Sequence, residues 1–566
     1  MISIVAVAAS ITLLYLLYRW ALPKPIPGIP YDVDASKNLR GSIPDFLAYR
    51  NAHGTGRPWF VEQALKHASP LTQFWLTPLG KPWLVLTDFQ EAQDILLRRG
   101  REFDRVTQGA DAFHGVVPNH HIAMTSSNPN FKVNKELVRD LMAPTFLNEI
   151  SAPAIYAKTL SLIDLWSLKA KVADGKPFNA RPDLGGAAMD IINAAAFSFD
   201  DSMNTTKHQI AYLQNREKAG VTSGTDNSVD FPTAPEIPDV AAFYAVIEHL
   251  GTQFLAIMPR LEHKIRLWTQ SELRRNIARK DSIIAREISK TLARFEKGDH
   301  TLHSALDHLL HRESNAAEKA GRQPIFNSPR INDEIFGYII GGHETTWASL
   351  QWTVKLLTKH QDVQDRLRTA LRAAYSDAST ESRQPTVKEI TKTTAPYLDA
   401  VLEESLRYVP PLPLVVREAT RDTELLGRRI PKGTSVFMPG YGPSFTLPAM
   451  PVDGASRSQT SREKHFGGRW DAGDSHLFKP ERWLRTDDGE GLQEFDSQAG
   501  PFLSFGMGAR GCFGRRLAYL EMRIVVALLV WNFEFRPLSE PFTSHAAIDT
   551  ITTNPKSCYV SLAQLS

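Results

Sequence analysis

The apolar positions are distributed in distinct regimes along the chain. From Ile2 to Tyr18 no residue is charged, and the run, extended to Leu22, is long enough to cross a bilayer as one helix. We read residues 1–22 as a transmembrane anchor and not as a cleaved leader. No basic residue precedes the run, and a tyrosine- and tryptophan-bearing end stands where small residues would mark a cleavage site. Arg19, Lys24 and Arg40 follow it, which favours a cytosolic location for the rest, and Trp20 suits the membrane interface. Pro23, Pro25, Pro27 and Pro30 predict a stiff, non-helical spacer over 23–40. Residues 41–566 then form the main domain.

Beyond the spacer the pattern is mostly helical. An apolar-periodic run from Asp333 to Leu357 predicts a long helix and another is expected over 515–531, while Leu71 to Leu76, Trp83 to Thr87 and Thr434 to Met438 read as short strands. The fold class is therefore mainly α with small β-sheets, an α+β arrangement. Stretches rich in polar residues, glycine or proline near 220–238, 313–330, 376–386 and 442–477 are expected as loops. The last is long enough to be an insertion.

Composition narrows the class without defining it. Hydrophobic residues make up 42% and charged residues 22% of 566, ample for a large core. A net charge of +3 leaves no nucleic-acid footprint, and two cysteines make no disulfide framework. Cys558 reads as structural. The basic amphipathic stretch Arg260 to Arg294, with Arg274, Arg275, Arg279 and Lys280, reads first as a solvated helix face and second as a contact for anionic lipid or an acidic electron-transfer partner. His303, His308 and His311 lack a supporting ligand spacing and read as surface histidines.

The chemistry concentrates in Phe505-Gly506-Met507-Gly508-Ala509-Arg510-Gly511-Cys512-Phe513-Gly514, a glycine-rich turn that sets a cysteine just ahead of a predicted helix. Arg510 and the helix amides favour a thiolate, and glycines let backbone approach the sulfur. An isolated cysteine is more often a small buried hydrophobe. Gly506, Gly508 and Gly511 also spell a dinucleotide fingerprint, with Glu534 near the ribose-binding offset. That reading fails because only about 30 residues remain after the helix, too few for further βαβ units.

The decapeptide resembles the haem-binding loop of the cytochrome P-450 family, F-x-x-G-x-R-x-C-x-G. The resemblance implies haem b with Cys512 as the axial thiolate to iron, Phe505 packed on the sulfur side of the ring, and Arg510 on a propionate; Gly506 and Gly514 fill the fixed glycine positions. Glu404-Ser405-Leu406-Arg407 and the Arg482 of Phe478-Lys479-Pro480-Glu481-Arg482-Trp483 are similar to the family's buried structural network. Ile339-Ile340-Gly341-Gly342-His343-Glu344-Thr345-Thr346 is similar to its oxygen-activation segment, implying Glu344 and Thr345 as an acid–alcohol pair that delivers protons to dioxygen. Two adjacent helical glycines each cost roughly 0.8–1.0 kcal/mol relative to alanine, which suits a helix distorted to make room for a ligand. The plainer alternatives are back-bonding of Thr345 to a helix carbonyl and a solvated Glu344. Arg139 fits a further propionate contact, Lys135 stands where the family usually has tryptophan, and Arg417 falls at another propionate position.

The resemblance implies a membrane-anchored haem-thiolate monooxygenase of the endoplasmic reticulum, similar to fungal members. It would take O2 and electrons from NADPH through cytochrome P-450 reductase, and oxidise a hydrophobic small molecule such as a terpenoid, polyketide or alkaloid. Substrate contacts are expected from about 105–125, 200–255, the helix before Thr345, and Pro410 to Val416. The rival readings are a haem-thiolate isomerase or dehydratase that needs no O2, and a non-catalytic haem sensor.

Overall fold

The apolar N-terminal run folds as one helix, α1 (Ile2–Ala21), with Arg19 in its last turn. Its 20 residues span about 30 Å at 1.5 Å per residue. Val5, Val7, Ile11, Leu13, Leu14, Leu16 and Leu17 are all exposed on it, as is Trp20. Among the described residues, no helix is long and apolar enough to cross a membrane. The following prolines do not hang free. Ile26 and Ile29 are buried, and the Gln73 side chain accepts from the Ile26 amide and donates to the Ile26 and Ile29 carbonyls. Within 23–40 only Val33–Ser36 makes a helical turn.

This computed structural model describes residues 2–215, 222–224, 227–254, 256, 258–464, 470, 472–486 and 493–565. The chain divides into two units: Met1–Val106, Pro413–Leu477 and Gln498–Gly511 form one, and Thr107–Leu412, Phe478–Ser497 and Cys512–Ser566 the other.

The first unit is organised by a five-stranded sheet. Its strands are β1 (Leu71–Phe74), β2 (Trp83–Leu86), β3 (Phe103–Asp104), β4 (Leu414–Ala419) and β5 (Ser435–Pro439), in the order β1-β2-β5-β4-β3. Only β2 and β5 pair in parallel, with Val436 beside Leu84; the other pairs are antiparallel. One face buries Phe60, Phe74 and Phe437 in an aromatic cluster. The other packs Leu84, Val436 and Met438 against α2 (Phe89–Leu97). Asp88 caps α2 by accepting from the Glu91 amide at 2.8 Å, which satisfies one of the four unpaired N–H groups at the helix start.

The second unit is helical. Its main elements are α3 (Ala152–Ala173), α4 (Arg181–Phe197), α5 (Pro238–Phe254), α6 (Pro259–Thr269), α7 (Ser271–Glu296), α8 (Ala305–Lys319), α9 (Pro329–Lys359), α10 (Pro396–Tyr408) and α11 (Arg515–Asn532). The long α9 starts where periodicity and punctuation coincide. Ser328 accepts from the Ile331 amide and Pro329 occupies the first turn, where a missing N–H costs nothing. Gly342 lets α9 approach α4, since a Cβ there would lie 2.3 Å from Ile192 Cδ1.

Several sequence expectations change here. The loop expected over 313–330 begins late, because the polar residues 313–319 continue α8, whose apolar face buries Leu309, Leu310 and Ala317. Within 376–386, Ser376–Thr380 is a short helix whose Ala378 is buried. Of the 220–238 expectation, residues 220–221 and 225–226 lie outside the described residues; Thr222–Ser223 and Val229–Asp230 pair as strands. Of 442–477, residues 465–469 and 471 lie outside them. The basic stretch from Arg260 splits between α6 and α7, and Lys280 leaves the solvated face: it is buried, 5.0 Å from the Phe336 ring and 2.6 Å from Asp281. Its long apolar stem makes that burial tolerable.

Candidate active site

The turn before Cys512 is shaped by hydrogen bonds and by two glycines. The Gly506 amide donates to the Leu503 carbonyl at 2.8 Å, and the Gly511 amide to Gly508 at 2.9 Å. Gly506 and Gly508 adopt φ of +58° and +69°, where a side chain is strained. At Gly508 a Cβ would also come 2.2 Å from the Leu96 carbonyl oxygen of α2. Met507 anchors the turn in the core that contains Leu96. Phe505 packs beside Phe502 at 6.2 Å.

Cys512 itself opens the helical unit's last segment. Burial dominates and holds its thiol above the ordinary range, although the amides of Gly514 and Arg515, at the start of α11, and the Arg515 charge act to lower it. The side chain nevertheless keeps exposed surface. The amides that face the sulfur are the kind of donors that stabilise a metal-bound thiolate. Cys558 is different: it is buried and burial raises its thiol to about 12, an inert structural position.

In the sheet unit, Arg105, Arg417 and Arg510 form a cationic group. Burial first, and the neighbouring guanidiniums second, pull Arg105 down to about 9 and Arg417 to about 10; burial also lowers Arg510. Asp104 acts in the opposite direction at all three. A cluster of guanidiniums held this close favours anionic groups beside it. Arg105 was not among the sequence candidates. The strand register brings it in, since Asp104 pairs with Glu418 of β4, next to Arg417.

On α9 the two oxygen-side candidates part company. Thr345 Oγ1 donates to the Gly341 carbonyl at 2.7 Å. Glu344 is buried and accepts from Thr550 at 2.6 Å, Thr552 at 3.0 Å and Asn554 at 3.4 Å, three partners absent from the sequence reading. A Cβ at Gly341 would meet nothing within 4 Å, so the helix is open there. The intervening His343 is buried against Tyr244 and Trp347.

The expected buried network is present within the helical unit. Glu404, 0% exposed, accepts from Arg407 Nε at 2.8 Å and its second nitrogen at 2.7 Å, Arg482 at 3.1 Å, the Lys479 amide at 2.8 Å and Trp483 Nε1 at 2.9 Å. Arg139, by contrast, points outward: it is 65% exposed and pairs with Glu136 at 2.8 Å. Lys135 lies 5.5 Å from the Phe131 ring.

A second cluster escaped the sequence reading. The buried Glu334 of α9 accepts from His121 Nδ1 and the His121 amide, both at 2.8 Å, and from Asn134 at 2.9 Å, with His120 Nε2 at 3.3 Å. It is the single His/Cys/acid group among the described residues with metal-ligand proximity. Its carboxylate is already saturated by these donors, and it locks the Asn119–Ile122 turn to α9. His121 meets Phe513, the residue after Cys512, at 5.9 Å. Of the three histidines expected on the surface, His308 is half-buried, edge-on to Phe146 at 5.1 Å, while His303 and His311 are exposed. His303 and His308 line a cleft of about 790 Å³ that none of the predicted site residues reaches.

Comparison with known proteins gives the family. The sequence profile of the Cytochrome P450 family matches residues 55–443 and 473–562. The chain is 36% identical to Cytochrome P450 monooxygenase TRI13 of Fusarium sporotrichioides, over 98% of this chain and 97% of that protein. It is 35% identical to Cytochrome P450 monooxygenase xilC of Penicillium crustosum, over 98% and 95%. The Hps1-dma1 cluster cytochrome P450 monooxygenase cyp3.1 of Dothistroma septosporum is 41% identical over 50% of this chain and 96% of its own length. The chain belongs to the cytochrome P450 family and is a monooxygenase, a haem-thiolate oxidoreductase that incorporates oxygen. The residues present fit that cofactor in kind: a cysteine whose thiol is met by the Gly514 and Arg515 amides could hold the iron, and the clustered cations Arg105, Arg417 and Arg510 could receive the propionates.

Proposed function

We propose that this protein is a membrane-bound haem-thiolate monooxygenase of fungal secondary metabolism that oxidises a hydrophobic small molecule. Cys512 is the axial ligand, and Arg105, Arg417 and Arg510 receive the propionates of haem b. The observation that carries this reading is the exposed Cys512 ahead of α11, with the Gly514 and Arg515 amides directed at its thiol. When bound, the haem supplies dioxygen activation, and the thiolate's electron donation favours O–O cleavage. One oxygen atom goes to the substrate and the other to water, with two electrons and two protons consumed. The electrons come from NADPH through a flavin-containing cytochrome P-450 reductase.

The chain's own part in the reaction is to place a proton. The Thr345 hydroxyl leaves the Gly341 carbonyl and turns to the open side of α9, where it hydrogen-bonds the reacting oxygen or a water. Glu344, anchored by Thr550, Thr552 and Asn554, fixes the helix backbone and a hydroxyl-rich route next to Thr345. Apolar and weakly patterned segments near 105–125 and 200–255 and around Pro410 to Val416 take the substrate. The cluster designation borne by the Dothistroma relative supports a biosynthetic setting.

The anchor is α1, acting in the endoplasmic-reticulum membrane with the rest of the chain cytosolic. Its exposed apolar side chains, with Trp20 and Arg19 at the end, support this reading. Separately, α6 exposes Leu261, Ile265 and Trp268 three to four residues apart, the last at 83%, an apolar stripe suited to a lipid interface. Deleting residues 1–22 releases the protein from membranes and leaves its haem spectrum intact.

The deciding experiment is the reduced, carbon-monoxide-bound absorption spectrum of wild type and Cys512→Ala. A Soret band at the red-shifted position of thiolate ligation, lost in the variant, supports the assignment. A band that survives without Cys512 overturns it.

A further inference from the structure

The 442–477 insertion is more than a surface excursion, and it is a departure from the family pattern, since residues 444–472 fall outside the family match. Several of its contacts, all within the sheet unit, fall on one element, α2. At the start of α2, Arg457 grips the capping Asp88 with two nitrogens, at 2.5 and 2.7 Å, a fork-on-carboxylate pair. At its far end, Ser458 and Thr460 donate to Asp94 Oδ2 at 2.7 and 2.9 Å, while Arg98 takes Asp94 Oδ1 at 2.5 Å. Between them Gln90 donates to the Ser461 carbonyl at 2.8 Å, and Phe445 packs edge-on to Phe89 at 5.6 Å. Asp94, Ser461 and Phe445 are each 0–1% exposed, so these bonds are made away from solvent screening.

What α2 does with that support is visible at its other face. The Leu96 carbonyl lies where a Cβ of Gly508 would be, 2.2 Å away, and Met507 shares one core with Leu96, Phe89 and Phe445. Gly508 is held in its left-handed conformation four residues before Cys512. We infer that the insertion is a strut: Arg457, Ser458 and Thr460 clamp α2 at both ends, and α2 presses its Leu96 carbonyl against the Leu503–Gly511 turn, fixing the geometry from which the sulfur is presented. Arg457, Ser458 and Thr460 are positioning residues that act through α2. The inference rests on the reading of Cys512 as the iron ligand.

The test uses the full-length holoenzyme with Ser458→Ala/Thr460→Ala, Arg457→Lys and the conservative Thr460→Ser. Val85→Ala serves as control, since it opens a cavity in the sheet's other core, away from α2. The readouts are the rate at which the red-shifted ferrous carbon-monoxide band converts to the blue-shifted form of a lost thiolate, and hydrogen exchange at the Gly511 amide. Losing two hydrogen bonds to a buried carboxylate speeds conversion by about tenfold and deprotects Gly511. Thr460→Ser stays at the wild-type rate, and Val85→Ala lowers the melting temperature without speeding conversion. Conversion and exchange unchanged in the double variant, or accelerated equally in Val85→Ala, overturn the strut. If the double variant does not load haem, Arg457→Lys, which keeps the charge and loses the fork, is read by the same two criteria. A wild type without any thiolate band would instead overturn the Cys512 assignment.

Discussion

Thr345 and Gly341 are joined by a hydroxyl-to-carbonyl hydrogen bond of 2.7 Å across one turn of α9. The hydroxyl is parked on a carbonyl of its own helix, at a glycine with no neighbour on its outer side. Rotation about one side-chain torsion is all that moves this alcohol to the open face. Thr345→Val keeps the shape and removes the hydroxyl. Product formed per NADPH consumed is expected to fall at least about tenfold, short of the ~10²–10⁴ of a fully committed acid–base group because water can enter in its place. The haem spectrum stays that of wild type, and Thr345→Ser restores coupling. Equal product yields in all three proteins would mean the alcohol plays no part in proton delivery.

Glu404 collects five donors from Arg407, Arg482, Lys479 and Trp483 with no exposed surface. Removing it takes away the buried carboxylate that pairs with two buried guanidiniums, which costs roughly 3–5 kcal/mol. Glu404→Ala is expected to yield little haem-loaded protein, and what is recovered unfolds at correspondingly lower denaturant. A fully loaded variant with an unshifted denaturation midpoint contradicts this.

How much of this was legible beforehand follows from how local each signal is. The Pro329–Lys359 and Arg515–Asn532 helices announce themselves by apolar spacing, and their observed ends fall within a few residues of expectation because Ser328-Pro329 and Gly514 are local signals. Cys512, Glu404 and Arg482 carry motifs. Arg105 carries none: it becomes a site residue only because β3 pairs with β4, more than 300 positions later. The partners of Glu344, in 550–554, and the His121–Glu334 pair are also remote, more than 200 positions apart in sequence. Arg139, whose spacing fits a propionate contact, is exposed and pairs with Glu136 on the preceding turn.

That contrast is measurable. Arg105→Ala removes one of the three clustered cations, and losing a charge-assisted bond of about 1.5–3 kcal/mol speeds haem transfer to an apo-acceptor by roughly 10–100-fold. Arg139→Ala, which removes an exposed pair of at most about 1 kcal/mol, leaves that rate within a factor of a few. Transfer accelerated equally in both variants would restore Arg139 to the site.

His249 of α5 and His263 of α6 face each other, Nε2 to Nδ1, at 2.8 Å. Such a contact needs one nitrogen to donate and the other to accept, so two imidazolium rings cannot share it. Burial pushes both down, His249 to about 4, with the His263 and Arg266 charges adding to the effect on His249. In the unfolded chain both titrate near the ordinary 6.5. Between about 6.5 and 4 the unfolded state therefore binds more protons than the folded one, and stability falls as pH falls through that window, then levels off below it. The corner has little slack, because the same His263 ring lies 2.7 Å from where a Cβ on Gly115 would be. Melting temperatures measured from pH 7.5 down to pH 4 are expected to drop most steeply in this range. His263→Gln, which offers an amide for either role and no second charge, flattens the drop. A variant with the wild-type pH profile would show that other groups carry the acid sensitivity.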